Sequence, residues 1–199
     1  TIESYLVFRL TGGAHISDAS NASRTALMAI GSGGWDDGLT ELFGVPRAIL
    51  PEITDCAGQL GKTSPDMFGT SIPITGMAGD QQAATIGQGC FAIGQTKATF
   101  GTGAFVLTQT GTTLRQSKHR LLSTVLYQIA GERHYALEGS VFVAGSLVQW
   151  LRDDLGLIGS AAETEPLARS VPDNGGVYLV PALSGLGAPH WQPNARGTI

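Results

Sequence analysis

The sequence predicts an α/β chain that contributes parts of two domains. The run Ile72-Pro73-Ile74-Thr75-Gly76-Met77-Ala78-Gly79 is apolar, ends in glycine, and reads as a buried strand feeding a helix that starts near Asp80 and covers Gln81 to Gln88. Gly87, Gly89 and Gly94 then punctuate the chain at a candidate boundary near residue 90, dividing residues 1–90 from residues 91–199. Beyond that boundary the period changes. Thr96 to Phe100 alternates, Gly101-Thr102-Gly103 turns, and Phe105 to Thr108 is rich in β-formers, which is a hairpin pattern.

The remaining elements follow in order. Residues 2–10 have helical spacing and meet the breaker Gly12-Gly13. The polar stretch His15 to Thr25 reads as loop with a short strand. Trp35 to Phe43 reads as a short helix with Leu39, Leu42 and Phe43 on one face, and Pro46 and Pro51 bracket a connection. Strands are expected at Leu122 to Ile129 and His134 to Leu137, joined by a turn at Gly131. Val141, Gly145, Val148, Leu151 and Leu155 recur at helical spacing. Val177 to Ala182 reads as a further buried strand, followed by the loop Ser184 to Pro189.

Composition narrows the function classes. Hydrophobic residues make up 42% of the chain, enough for a packed core. Glycine is the outlier at 28 of 199 residues, about twice the usual share of roughly 7% and without a collagen-like period. The net charge is −4 and no Lys/Arg run is present, so no basic surface for a nucleic-acid backbone is expected. The nearly apolar stretch Val141 to Leu151 is too short to span a bilayer. Cys56 and Cys90 make neither a disulfide framework nor a metal cluster. Asn21-Ala22-Ser23 fits a glycosylation sequon, but nothing else points to secretion, and a reduced cytoplasm is the default expectation. Thr1 runs directly into apolar sequence, and Gly197-Thr198-Ile199 stops as another apolar segment begins, so the chain reads as an excerpt from a longer protein.

Several chemical motifs fail on spacing. Gly61-Lys62-Thr63 resembles the end of a phosphate-binding P-loop, but Cys56 stands where that loop needs glycine. Gly101-Thr102-Gly103 lacks the third glycine of a dinucleotide fingerprint, since Val106 occupies its place. No serine has the glycine flanks of a nucleophile elbow, and His15, His119, His134 and His190 lack metal-ligand spacing.

Three patterns survive. Asp80, at the end of a strand and the start of a helix, is placed to act as general base for a hydroxyl, with Gln81 holding a neighbouring hydroxyl. A helix N-cap aspartate would look the same in sequence. Gly101-Thr102-Gly103 can bring backbone N–H groups and a hydroxyl to a phosphate, or can be an ordinary hairpin turn. Gly145 and Gln149 share one helical face, where they would admit and bond a flat ligand, or else pack closely and face solvent. Phe105 is either a surface for a substrate's carbon skeleton or a core residue.

In order along the chain, these patterns resemble the FGGY family of carbohydrate kinases. The resemblance rests on Asn21-Ala22-Ser23-Arg24-Thr25, Ala78-Gly79-Asp80-Gln81-Gln82-Ala83-Ala84, and Phe100 to Gly103. It continues through Tyr135 to Gly139, Gln149 to Asp153, Gly185 to Pro189, Trp191 and Ala195 to Gly197. The Gly79 to Gln82 and Gly185 to Pro189 forms are similar to the branch that acts on glycerol. The resemblance implies an actin-like (ribonuclease H-like) ATPase fold, with parts of two domains flanking an interdomain cleft. It implies ATP and Mg²⁺ as cofactors, glycerol or a similar polyol as acceptor, and a cytoplasmic homodimer or homotetramer. By position it makes Asp80 the catalytic base, Gln81 and Phe105 glycerol contacts, Gly101 and Thr102 the nucleotide-phosphate turn, and Gly145 and Gln149 nucleotide contacts.

Two residues depart from the family pattern. Ser71 stands in a loop where bisphosphate-inhibited members carry arginine, and it has no charge for a phosphate. His190 replaces a usual tyrosine, which keeps erythritol and xylulose open as acceptors. A non-catalytic nucleotide-binding relative is the other class, against which the intact Asp80-Gln81 pair argues.

Overall fold

The computed structural model describes all residues from Thr1 to Ile199. The chain separates into two compact units. One comprises Thr1–Lys97, Leu107–Gln116 and Ser123–Leu137, the other Ala98–Val106, Ser117–Leu122 and Glu138–Ile199.

The first unit opens with helix α1 (Ile2–Thr11), which ends at Gly12 as expected. Glu3 in its first turn accepts a 2.6 Å hydrogen bond from the Ser17 hydroxyl, tying α1 to strand β1 (Ile16–Asp18). Burial alone would raise the Glu3 carboxyl, but hydrogen bonds from Ser17, Thr1 and Ser4 outweigh it and hold it below its ordinary value. The region expected to be loop contains a short helix, α2 (Ala19–Ala22). It forms because the Asp18 side chain accepts the N–H groups of Ser20 and Asn21.

Strands β2 (Met28–Ala29) and β3 (Gly34–Trp35) pair antiparallel. Helix α3 (Asp37–Leu42) begins at Asp37 rather than Trp35, since the Asp36 carboxylate caps it by accepting the Leu39 N–H at 2.9 Å. The apolar face expected for it is not covered: Leu42 is 74% exposed. Strand β4 (Glu52–Thr54) pairs parallel with β1. Then come β5 (Ala57–Lys62), α4 (Pro65–Phe68), β6 (Pro73–Gly76) and α5 (Asp80–Gly87).

Strands β7 (Thr96–Phe100), β8 (Ala104–Gly111), β9 (Leu122–Ile129) and β10 (Glu132–Val141) complete a six-stranded sheet ordered β6-β5-β9-β10-β8-β7. The hairpin around Gly101-Thr102-Gly103 is present, β9 has its expected bounds, and β10 is longer than expected at both ends. The strand expected to be buried within residues 72–79 is instead the edge strand β6, paired only with β5 and largely exposed. An edge suits Pro73, which has no N–H for a second neighbour. Ala19, Ala22, Met28, Val125 and Tyr135 form the core of this unit.

The second unit holds α6 (Gly145–Asp153) and α7 (Thr164–Arg169). The helical spacing of Val141 to Leu155 is realised only in its middle, because Val141 closes β10 and Leu155 lies beyond α6. Val177 to Ala182 is not a buried strand. It makes one bridge, Val180 to Thr198, and Tyr178 is 76% exposed. An apolar run reports a preference for cover, and these residues find little within the chain. No helix is long and apolar enough to cross a membrane.

Cys56 and Cys90 are buried free thiols. Desolvation, followed by the nearby Asp18 charge, pushes the Cys56 thiol from 9.0 up to about 11. Between those pH values the folded chain keeps a proton that the unfolded chain has released, so stability falls as pH rises through this window. In denaturant titrations from pH 8 to 11, Cys56→Ala is expected to flatten the decline on the order of 2 kcal/mol relative to wild type. Parallel pH profiles for the two proteins would contradict this origin.

Candidate active site

In the first unit, β6 and the turn after it deliver Asp80 to the first position of α5, with Gly79 as the cap residue. Asp80 is therefore not an N-cap. It is exposed, and its Oδ1 accepts the Gln81 N–H at 2.8 Å, which leaves Oδ2 outside that bond. A carboxylate at this position also lies where the helix dipole favours negative charge.

Gln81 is half-buried beside Lys97, a lysine only 1% exposed. The Lys97 Nζ donates to Gln81 Oε1. Lysine has donors and no acceptor, so the oxygen of the Gln81 amide is committed to it and the amide nitrogen points elsewhere. Gln81 is thereby set as a donor toward its surroundings.

The Gly79 N–H donates to Ser20 Oγ at 2.9 Å, and Ser20 Oγ donates to Asp18 Oδ2 at 2.5 Å. On the inner side of α5, Gln82 is 2% exposed and donates to the Val125 carbonyl at 3.3 Å. Sequence reasoning missed Asp18, Ser20 and Lys97. The capping pattern of Asp18 before Ser20 and Asn21 was available as a signal. The burial of Lys97 has no local signature.

In the second unit, Gly101-Thr102-Gly103 is hooked onto the start of α6. Gly101 O accepts the Gly145 N–H at 2.8 Å, and Thr102 O accepts from Ala144 N at 2.9 Å and Ser146 N at 3.2 Å. The Ser146 hydroxyl adds a bond to Thr102 O at 2.9 Å, and the Gly101 N–H closes the turn onto Gly103 O at 2.8 Å. The first N–H groups of α6 are thus spent on the turn's carbonyls. The Thr102 N–H and hydroxyl take part in none of these bonds, and Thr102 is exposed.

Both glycines at this junction are required by close approach. A Cβ on Gly145 would lie 2.6 Å from Gly101 O, and one on Gly103 would lie 2.5 Å from Val141 O. The space beside Gly145 is therefore filled by the turn. Gln149 is exposed further along α6, and Phe105 is half-buried on β8. In the loop of Gly185 to Pro189, the Ala188 N–H donates to Ser140 O at 2.9 Å, and His190 is exposed. The Ser71 hydroxyl is used locally, donating to Thr63 O at 3.0 Å. No three His, Cys, Asp or Glu side chains converge to hold a metal ion.

Residues 1–87 match the family model for the N-terminal domain of the FGGY family of carbohydrate kinases, and residues 96–199 match the model for its C-terminal domain. The chain belongs to the FGGY family of carbohydrate kinases and has that family's actin-like ATPase fold. It is 58% identical to a glycerol kinase of Xanthobacter autotrophicus over 200 aligned residues, covering 100% of this chain and 40% of the relative. A crystal structure of Plasmodium falciparum glycerol kinase with ADP superposes with a TM-score of 0.88 at 40% identity, covering 100% of this chain and 40% of that one. A xylulose kinase from Brucella ovis superposes at 0.84 with 22% identity, covering 100% and 41%, which is a likeness of fold alone. The chain spans about two fifths of the length of the relatives it matches.

Proposed function

We propose that this chain is the central part of an enzyme that transfers the γ-phosphoryl group of ATP to glycerol, giving glycerol 3-phosphate. The observation that carries this reading is the pair at the start of α5: an exposed carboxylate, Asp80, beside an amide, Gln81, whose oxygen is held by Lys97. Asp80 Oδ2 takes the proton of a terminal hydroxyl as that oxygen bonds to the γ-phosphorus and the bond to the β-phosphate oxygen breaks. The Gln81 amide N–H steadies the adjacent hydroxyl, and Phe105 packs on the carbon skeleton. The Gly101-Thr102-Gly103 turn offers the Thr102 N–H and hydroxyl to the nucleotide phosphates and Gln149 contacts the nucleotide, while Gly145, whose N–H is bonded to Gly101 O, holds the turn against α6 rather than leaving room for a ligand. Holding the acceptor oxygen and phosphorus in line supplies much of the rate in such a reaction.

The gap between the two family-model matches, residues 88–95, supports a domain boundary near residue 90. Mg²⁺ is the ion usual for this family, but no acidic cluster here forms a cage for it, and it is not assigned to any of these residues. Identity of 58% to the Xanthobacter autotrophicus glycerol kinase and 40% to the Plasmodium falciparum one supports glycerol as the acceptor.

An acceptor panel of glycerol, erythritol, xylulose and gluconate, assayed for ATP consumption with the complete polypeptide, tests the assignment. The expected result is a kcat/KM for glycerol at least about tenfold above the others, the discrimination one missing contact gives. A higher value for xylulose or erythritol would move the chain to another acceptor class.

A further inference from the structure

We infer that Asp18 and Ser20 are positioning residues for Asp80, acting through the backbone of Gly79; this rests on the reading of Asp80 as general base. Asp18 is 0% exposed, so its carboxylate is spent inside the protein. Its two oxygens collect donors. Oδ2 accepts from the Ser20 N–H at 2.9 Å, the Ser20 hydroxyl at 2.5 Å and the Cys56 thiol at 3.1 Å, and Oδ1 accepts from Asn21 Nδ2 at 2.7 Å.

Only one of these bonds leads onward to the site. Because the Ser20 proton is committed to Asp18, the hydroxyl oxygen faces Gly79 as an acceptor and receives its N–H at 2.9 Å. Asp18 thus fixes the direction of the Ser20 hydroxyl, and that hydroxyl fixes the peptide immediately before Asp80. Gly79 is also packed closely: a Cβ there would lie 2.5 Å from Oε1 of the buried Gln82 and 3.7 Å from Asn21 Oδ1. The backbone entering α5 therefore has one side-chain hydrogen bond from α2, through Ser20, and packed neighbours in Gln82 and Asn21. A base whose proton transfer depends on sub-ångström placement loses turnover when that anchor is removed, even though nothing touching substrate has changed.

Ser20→Ala removes the hydroxyl that links Asp18 to Gly79, and Cys56→Ala removes an Asp18 donor that lies off the path to Gly79. In the complete polypeptide, Ser20→Ala is expected to lower kcat by about 10- to 100-fold with KM for ATP unchanged, the scale of a misplaced catalytic group. Cys56→Ala should stay within about twofold of wild type, the span of an uncoupled side chain. The decisive arm repeats Ser20→Ala in an Asp80→Asn background, where the loss should vanish because no base remains to be positioned. An equal loss in both backgrounds overturns the proposal, as does an equal loss from Cys56→Ala or normal turnover in Ser20→Ala while Asp80→Asn is inactive. Normal turnover in Asp80→Asn itself overturns the base assignment, and the proposal with it.

Discussion

Asp80→Asn is expected to lower kcat for glycerol by about 10²- to 10⁴-fold, the range that a positioned base contributes. The change isolates chemistry from structure. Asparagine keeps an oxygen that accepts the Gln81 N–H, now made by Asp80 Oδ1 at 2.8 Å, so the first turn of α5 keeps its bond. Asp80 is exposed, so no buried partner is orphaned. The melting temperature and the KM for ATP should therefore stay near wild type while turnover collapses. Steady-state kinetics beside a thermal melt separate the two. A variant with near-normal kcat would mean that the proton leaves by another route.

The second large effect is expected at the turn. Gly145→Ala puts a methyl group 2.6 Å from Gly101 O, and Gly103→Ala puts one 2.5 Å from Val141 O and 3.1 Å from Phe142 O. These neighbours are backbone atoms, so no rotamer change relieves the contact, and the turn must part from the start of α6 in Gly145→Ala and from the end of β10 in Gly103→Ala. That separation breaks bonds at 2.8 to 3.2 Å that lock the turn's carbonyls. ADP affinity, measured by calorimetry, should fall at least about tenfold in either variant, with a stability loss of roughly 1–3 kcal/mol as in other overpacked sites. Gly101→Ala is the control for stability, since its Cβ would meet nothing closer than 3.9 Å. Unchanged ADP binding in Gly145→Ala would remove the turn from the nucleotide site.

The contrast between elements shows what was readable in advance. β9 was legible to its ends because Leu122 to Ile129 is rich in β-formers and is stopped by the turn at Gly131. The Gly101-Thr102-Gly103 hairpin was legible from its glycines. β5 was missed because Ala57 to Lys62 holds two glycines, a glutamine and a lysine, and draws its place from pairing with β6 and β9 rather than from its own pattern. Val177 to Ala182 misled in the opposite direction, being apolar without cover in this chain.

The site divides in the same way. Asp80 and Gln81 stand out because they follow a glycine-ended apolar run. The groups that orient them are separated from them in sequence: Ser20 bonds the peptide before Asp80, and Lys97 fixes the Gln81 amide. A buried lysine or a buried Asp–Ser pair is defined by what packs around it, and no local window records that.

Phosphorus NMR of the product is the most direct measurement of the central claim. Given glycerol, ATP and Mg²⁺, the complete polypeptide is predicted to form one phosphomonoester on a terminal carbon of glycerol, in step with ADP, and the Asp80→Asn variant to form almost none. ATP left intact in the presence of glycerol, or cleaved to ADP and free phosphate without glycerol 3-phosphate, would contradict it.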